Sequence, residues 1–194
     1  MFERLPLPVR KVLAWSVHLF TATGAVWGFL TIIAIFEENW RAVIVLQIIA
    51  MFVDGFDGML ARWFHVLDYA KGLDGGLMDN IIDYINYVVV AALLLVKWPN
   101  LMPAGFEAAA ACSILLTSAY QFSQVDAKTD DQSYFFKGFP SVWNFLVFYL
   151  ILVGLNPWFN LLIVLVCDIL IFIPIKYVYP TRNTRLRKLT LTLT

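Results

Sequence analysis

Long apolar segments recur along the whole chain, and they limit the folds it can adopt more than any other feature. Of the 194 residues, 61% are hydrophobic and 14% are charged, which leaves too few polar groups to cover a water-soluble domain. Helices and closed barrels are the structures that satisfy every backbone polar group in lipid, and these segments are continuous rather than alternating. We therefore expect an all-α integral membrane protein.

Six of these segments approach the ~20 residues that a helix needs to cross ~30 Å of hydrocarbon. They predict a six-transmembrane-helix bundle, preceded by a short N-terminal segment, residues 2–11, that lies at the membrane interface. No repeat or composition break divides the chain, so residues 1–194 are expected to form one domain. The predicted spans are residues 13–36, 42–64, 75–96, 104–122, 141–155 and 159–177.

Basic residues are distributed unevenly among the segments that connect the predicted spans. With the N-terminus inside, twelve Lys and Arg side chains face the cytoplasm, and only Arg41 and Lys97 face the other side. Cytoplasmic loops carry such an excess of Lys and Arg. Both termini and the end of the second span are therefore expected at the cytoplasmic side.

Cys112 and Cys167 fall inside predicted spans, which argues against a disulfide.

Four carboxylates occupy the second and third predicted spans. Asp54 and Asp57 are three residues apart, and Asp79 and Asp83 are four apart, so each pair shares one face of its helix. Ionisable residues inside a membrane are costly and indicate a functional site by default. A short cytoplasmic loop joins the two helices, so we expect the acidic faces to converge near the cytoplasmic boundary.

Converging carboxylates would repel one another unless a cation lies among them. Hard divalent cations take oxygen ligands, and Mg²⁺ pairs carboxylates with substrate phosphates. Neither helix offers Cys or His at ligand spacing, which argues against zinc. Glycines surround the acids and indicate room for a substrate, with close helix packing as the alternative. They are Gly55, Gly58, Gly72, Gly75 and Gly76.

Taken together, these residues form one pattern at fixed spacing that resembles the signature of the CDP-alcohol phosphotransferases. Its eight positions are Asp54, Asp57, Gly58, Ala61, Arg62, Gly75, Asp79 and Asp83, with twelve residues between Arg62 and Gly75. Five blocks are also similar to bacterial members that use choline as the acceptor. They are residues 16–24, 53–62, 77–88, 126–144 and 172–191.

The resemblance implies an enzyme of the bacterial inner membrane that transfers the phosphatidyl group of CDP-diacylglycerol to choline and releases CMP, with its active site facing the cytoplasm. It implies two Mn²⁺ or Mg²⁺ ions held by Asp54, Asp57 and Asp79. Asp83 is expected to contribute to the second metal position and to act as general base. Membrane lipid and a second copy in a homodimer are the expected partners, and nucleic acid is not. The residues expected to contact the CDP moiety are Gly58, Ala61, Arg62, Gly75, His18 and Thr21.

Members of this family commonly continue with further hydrophobic helices, so the chain is either a short member or lacks a C-terminal part.

Choline carries a quaternary ammonium without N–H donors, which aromatic faces recognise through cation–π attraction. Because aromatic residues make up 16% of the chain, packing or interfacial anchoring is the alternative for each candidate. The residues expected in the choline pocket are Tyr84, Asn86, Tyr87, Tyr120 and Trp143.

Two other functions remain open. The same chemistry can use a different acceptor, namely serine, inositol phosphate or glycerol phosphate; an anionic acceptor would call for more basic residues beside the carboxylates. Cation transport would instead distribute acidic groups through the membrane depth, whereas these cluster at one side. Glu107 and Asp168 lie in predicted spans outside the motif and have no assigned function, and a hydrogen bond between helices is the alternative for Asp168.

Overall fold

The computed structural model describes residues 2–124, 135–173 and 176–178, with the backbone alone at 135–137 and 176–178. Its regular structure is helical apart from two short strands, β1 (Phe135–Lys137) and β2 (Lys176–Val178), which pair antiparallel. The helical class is therefore confirmed, with this strand pair as an addition. The chain divides into two compact units, one ending at Lys97 and one beginning at Trp98.

The first unit consists of three long helices and one short one. A 3₁₀ turn at Phe2–Arg4 precedes them, and the last long helix runs without a break over Gly75–Lys97 while containing a π-helical segment, Tyr84–Val89. The α-helical elements are α1 (Leu7–Phe36), α2 (Trp40–Trp63), α3 (Val66–Tyr69), α4 (Gly75–Asp83) and α5 (Val90–Lys97).

Side-chain caps determine where two of these helices begin. The Asn39 side chain accepts a hydrogen bond from the Ala42 amide at 3.2 Å and starts α2. Asp74 Oδ1 accepts one from the Leu77 amide at 3.0 Å and starts α4. Such caps satisfy backbone donors that have no partner within the helix. The starts predicted from the apolar runs, residues 42 and 75, lie within two residues of the observed ones.

The N-terminus differs from the expectation. Helix α1 begins at Leu7 rather than near residue 13, because Pro8 stands in the first turn, where a missing N–H costs no helical hydrogen bond. Part of the segment 2–11, expected at the membrane interface, is therefore the first turn of a long helix. The interfacial placement itself stays a prediction.

Helix α1 buries a stripe of small and polar residues at intervals of three and four. Its glycines bring neighbouring helices close, since a methyl group at Gly24 would lie 2.6 Å from Cγ2 of Ile82. Small residues allow this close approach between membrane helices. The buried residues of α1 are Ala14, Val17, His18, Thr21, Gly24, Gly28, Thr31, Ala34 and Ile35.

The connection between α2 and α4 is fastened to the start of α1. Arg10 Nη1 donates a hydrogen bond to the Tyr69 hydroxyl at 2.8 Å, and the Phe2 ring stacks on His65 with centroids 5.7 Å apart. Val66 and Ala70 of this connection are buried against Ala14 and Val17. The loop that joins the two halves of the acidic motif is thus held in place by packing.

The second unit contains α6 (Glu107–Ser123), α7 (Trp143–Val153) and α8 (Pro157–Phe172). Two hydrogen bonds, one part-buried and one buried, join these helices. Thr117 Oγ1 donates to Asp168 Oδ1 at 2.7 Å, and Trp143 Nε1 donates to Ser118 Oγ at 2.7 Å. Asp168 therefore ties α8 to α6, which gives this carboxylate a structural role. Cys112 and Cys167 are free thiols, as expected.

Among the described residues, three helices are long and apolar enough to cross a membrane: α1, α2 and the helix Gly75–Lys97. The chain is therefore a membrane protein. Helices α6, α7 and α8 have 17, 11 and 16 residues, and at 1.5 Å per residue none reaches 30 Å. The prediction of six spans is thus confirmed for the first three only. Residues 174–175 of the sixth predicted span lie outside the described residues.

Candidate active site

Three of the four predicted carboxylates come together. Asp54 and Asp57 lie near the C-terminal end of α2, and Asp79 lies on α4. Each offers one oxygen, and the three oxygens lie within 4.8 Å of one another. The group contains no Cys or His, and an all-oxygen donor set suits Mg²⁺ or Mn²⁺ better than zinc. The expected divalent-metal site therefore fits the residues present.

Asp57 is the most deeply placed of these carboxylates, with 9% of its surface exposed. The Thr21 side chain and the backbone of Gly58 lie beside it. Burying a charged group is costly unless hydrogen bonds or an opposite charge compensate. A bound cation would compensate Asp57, and Thr21, expected at the CDP moiety, lines the same cavity.

Asp54 has a different support. The hydroxyl of Tyr87, on the π-helical segment, donates a hydrogen bond to Asp54 Oδ2. Tyr87 is buried and was expected in the choline pocket. The phenol of Tyr87 therefore connects the helix Gly75–Lys97 to the Asp54 carboxylate of α2. The sequence did not predict this contact.

Asp83 stands apart from the group of three oxygens but belongs to the same cavity. Asp54, Asp57, Asp79 and Asp83 all line it, together with Thr21. The predicted convergence of two acidic helix faces is therefore confirmed for the cavity as a whole. The tighter cluster holds three carboxylates, and the roles of Asp83 as metal ligand and base remain predictions.

Of the residues expected to contact CDP, Thr21 lines this cavity, and the other five are not among its lining residues. A methyl group at Gly58 would lie 3.6 Å from Arg62 Nη1, so the exposed Arg62 folds back over Gly58. A methyl group at Gly75 would lie 3.0 Å from His18 Cε1, so His18 faces the start of α4. Ala61 packs instead against the apolar cluster at the start of α1.

His18 carries an unsatisfied polar atom. Its side chain is 7% exposed, and its buried Nε2 has no hydrogen-bond partner among the residues that the structure describes. Buried polar atoms normally have a partner, so each exception requires an explanation. A substrate group beside Gly75 would supply one.

The remaining choline candidates are placed as follows. Tyr84 begins the π-helical segment, and Asn86 is buried within it. In the second unit, Trp143 is fully buried and bonded to Ser118, whereas Tyr120 is half-exposed with its ring 5.1 Å from that of Phe172. None of these positions tests choline binding, so the pocket stays a prediction.

The sequence interpretation missed a buried polar network beneath the carboxylates. Gln47 Nε2 donates to Asn86 Oδ1 at 3.4 Å and lies 3.5 Å from Thr31 Oγ1. Asn86 Nδ2 donates to the Gly24 carbonyl at 3.0 Å. Glutamine in the middle of an apolar span was the available signal, because polar side chains within spans form hydrogen bonds between helices.

The comparisons with known proteins agree with the motif. The profile of the CDP-alcohol phosphatidyltransferase family matches residues 16–175, which is most of the chain and includes all the motif carboxylates. The chain belongs to this family. As a CDP-alcohol phosphatidyltransferase it carries the carboxylates of the family motif on α2 and α4, where three of them converge.

Several similar proteins are named phosphatidylcholine synthase. The protein from Legionella pneumophila is 43% identical over 87% of this chain and 66% of its own length. That from Borreliella burgdorferi is 40% identical over 96% of this chain and 78% of its own length. That from Mesorhizobium japonicum is 40% identical over 99% of this chain and 72% of its own length. This CDP-alcohol phosphatidyltransferase thus spans between 66% and 78% of these relatives.

Proposed function

We propose that this chain is a phosphatidylcholine synthase, which transfers the phosphatidyl group of CDP-diacylglycerol to choline and releases CMP. The family membership, together with the convergence of Asp54, Asp57 and Asp79 in one cavity, is the observation that carries this proposal. The shared name of the similar proteins supports choline as the acceptor. The reaction depends on a divalent metal, Mn²⁺ or Mg²⁺, with two ions as the proposed number.

Asp54, Asp57 and Asp79 would hold the divalent metal, which when bound would supply positive charge to offset that of the diphosphate. Asp83 accepts the proton of the choline hydroxyl as a bond forms between the choline oxygen and the phosphorus that bears diacylglycerol. The bond from that phosphorus to the CMP oxygen breaks, and CMP leaves. The position of Asp83 in the same cavity, but outside the cluster of three oxygens, supports this role and a share in a second metal position.

The CDP moiety is proposed to lie against the glycines of the motif. His18 lies against Gly75, and Arg62, which folds back over Gly58, offers a guanidinium to a phosphate oxygen. His18 Nε2, buried without a partner among the described residues, is available to the nucleotide. Ala61 and Thr21 complete the proposed set, Ala61 through packing and Thr21 beside Asp57.

Choline is proposed to meet aromatic faces near Asp83. Tyr84 and Tyr87 follow it on the same helix, with Asn86 between them. Tyr120 and Trp143, which belong to the second unit, remain candidates on the sequence alone. The block 126–144, on which the choline resemblance partly depends, includes residues 126–134, which lie outside the described residues, as does Lys128.

The remaining proposals concern the membrane location, the domain organisation and the oligomeric state of the enzyme. The three long helices are proposed to cross the bacterial inner membrane, with the shorter apolar helices embedded in it and the carboxylates at the cytoplasmic side, and residues 1–194 are proposed to form one catalytic domain. The family match supports the last point because it extends over parts of both units. The protein is proposed to act as a homodimer in membrane lipid. Five of the twelve cytoplasmic basic residues, Lys128, Arg182, Arg185, Arg187 and Lys188, lie outside the described residues.

The test is a transfer assay with purified protein in lipid nanodiscs. CDP-diacylglycerol, Mn²⁺ and labelled choline should give labelled phosphatidylcholine and an equal amount of CMP. Parallel reactions contain serine, inositol phosphate or glycerol phosphate in place of choline. Turnover with one of these and none with choline would contradict the acceptor. No CMP with any alcohol would contradict the enzymatic function, and uptake of cations into sealed vesicles would then favour transport.

Asp83→Asn tests the proposed base, with Asp68→Asn as the matched control. Loss of a general base costs roughly 10²- to 10⁴-fold in rate, while binding of CDP-diacylglycerol should persist. Asp68 lies on α3 with 68% of its side chain exposed, so its amide variant should keep wild-type turnover. Retained activity in Asp83→Asn would remove it as the base.

A further inference from the structure

We propose that Tyr87 is a positioning residue of the metal site, whose hydroxyl orients the carboxylate of Asp54. The proposal rests on the proposed metal-dependent transfer and assigns Tyr87 a role other than contact with the acceptor. Its basis is the hydrogen bond from the Tyr87 hydroxyl to Asp54 Oδ2. Asp54 is one of the three carboxylates whose oxygens lie within 4.8 Å of one another.

A hydrogen bond to one carboxylate oxygen restricts the direction of the other. The carboxylate is planar, so fixing Oδ2 limits rotation of the group and therefore the direction of both oxygens. Hydrogen bonds of this kind to metal-binding carboxylates determine how well they bind, and losing one typically costs ~10- to 100-fold in metal affinity or activity. Tyr87 is 9% exposed, so bulk water has little access to replace the phenol.

The backbone around Tyr87 is held in an uncommon conformation. The residues from Tyr84 to Val89 form a π-helical segment, and such segments occur mostly as single turns, frequently at functional sites. A π-helical turn contains more residues than an α-helical one. It therefore changes the direction in which Tyr87 points relative to Asp83, four residues earlier.

Asn86 fastens this segment to α1 and α2. Its Nδ2 donates to the Gly24 carbonyl at 3.0 Å and to the Ile82 carbonyl at 3.1 Å. Its Oδ1 accepts from Gln47 Nε2 at 3.4 Å. The side chain next to Tyr87 is therefore tied to both neighbouring helices, which keeps the phenol within reach of Asp54.

The competing role for Tyr87, recognition of choline, depends on a different part of the side chain. Cation–π attraction needs the aromatic ring and not the hydroxyl. Tyr87→Phe keeps the ring and removes the donor to Asp54. The two roles thus give different results with a single variant.

The experiment measures Mn²⁺ binding directly, by electron paramagnetic resonance of free Mn²⁺ titrated into wild-type and Tyr87→Phe protein in nanodiscs without substrate. The positioning role predicts that Tyr87→Phe binds Mn²⁺ ~10-fold more weakly. In the transfer assay it should need correspondingly more Mn²⁺ for half-maximal turnover, with the KM for choline unchanged at saturating Mn²⁺. Tyr149→Phe is the matched control, because Tyr149 lies on α7 with 66% of its surface exposed, and its Mn²⁺ affinity should equal that of the wild type.

Unchanged Mn²⁺ affinity in Tyr87→Phe overturns the proposal, whatever happens to the KM for choline. If this variant does not fold, Tyr87→Met, which lacks both ring and hydroxyl, takes its place with the same expected loss of Mn²⁺ affinity. Failure of the proposed function has a separate signature, since the wild-type protein would then make no phosphatidylcholine while the comparison of Mn²⁺ binding would still hold.

Discussion

Replacing Gly28 by alanine should destabilise the first unit, because the added methyl group has no room. It would lie 2.9 Å from Asn86 Oδ1 and 2.9 Å from Ile85 Cγ2, closer than real methyl contacts occur. Asn86 cannot withdraw without loss of its bonds to the Gly24 and Ile82 carbonyls. The substitution therefore separates α1 from the π-helical segment beneath the carboxylates.

The change in the free energy of unfolding depends on two opposing effects. Alanine is favoured over glycine inside a helix by ~1 kcal/mol. An extra methyl group in a well-packed interior costs ~1–3 kcal/mol. Gly55→Ala is the matched comparison, since a methyl group at Gly55 of α2 would meet nothing within 4 Å. Helix propensity then cancels between the two variants, and Gly28→Ala should be less stable than Gly55→Ala by the steric cost alone, ~1–3 kcal/mol.

The measurement is the free energy of unfolding in mixed micelles, from titration with a denaturing detergent followed by circular dichroism. Gly55→Ala should be as stable as the wild type or slightly more stable. Equal stability of Gly28→Ala and Gly55→Ala would refute the reasoning, because it would mean that α1 and the π-helical segment do not approach as closely as the structure has them.

Three further predictions concern the metal and the second unit. Removal of divalent cations with EDTA should abolish transfer, and added Mn²⁺ should restore it; activity that persists in EDTA would contradict an oxygen-ligated metal site. Asp168→Asn keeps an acceptor for the Thr117 hydroxyl and should leave the free energy of unfolding nearly unchanged. Asp168→Ala should lower it by ~0.5–2 kcal/mol, as measured by the same detergent titration. Trp143→Phe and Ser118→Ala each remove one partner of a buried bond, so their effects on stability should be less than additive in a double-mutant cycle.

Apolar runs made the first three helices predictable from the sequence, except that the first begins at Leu7 rather than near residue 13. The predicted runs 42–64 and 75–96 correspond to the observed helices Trp40–Trp63 and Gly75–Lys97. The predicted and observed bounds differ by at most two residues. The later helices were less predictable because length alone does not separate a span from a shorter buried helix. The run at 141–155, for example, yields a helix of 11 residues, which begins after Ser141, a residue with positive φ.

The motif carboxylates were predictable for a similar reason. Spacing along one helix determines which residues share a face, so Asp54 with Asp57, and Asp79 with Asp83, could be paired without a structure. The hydrogen bond that supports Asp54 could not be predicted in this way, because a hydrogen bond between helices depends on the rotation and separation of both helices. Tyr87 bonds to Asp54 across two helices, and no sequence interval relates the partners.

The polar residues beneath the site can be understood as part of the same arrangement. Gly24 and Gly28 let α1 approach the π-helical segment, and this closeness allows Asn86 to bond to the α1 backbone. Because Gln47 bonds to Asn86 from α2, the three helices that carry Thr21, Asp54 and Asp79 meet at one amide. A site that must hold carboxylates within a few ångströms against their mutual repulsion requires such rigidity, and buried polar networks whose members are satisfied provide it.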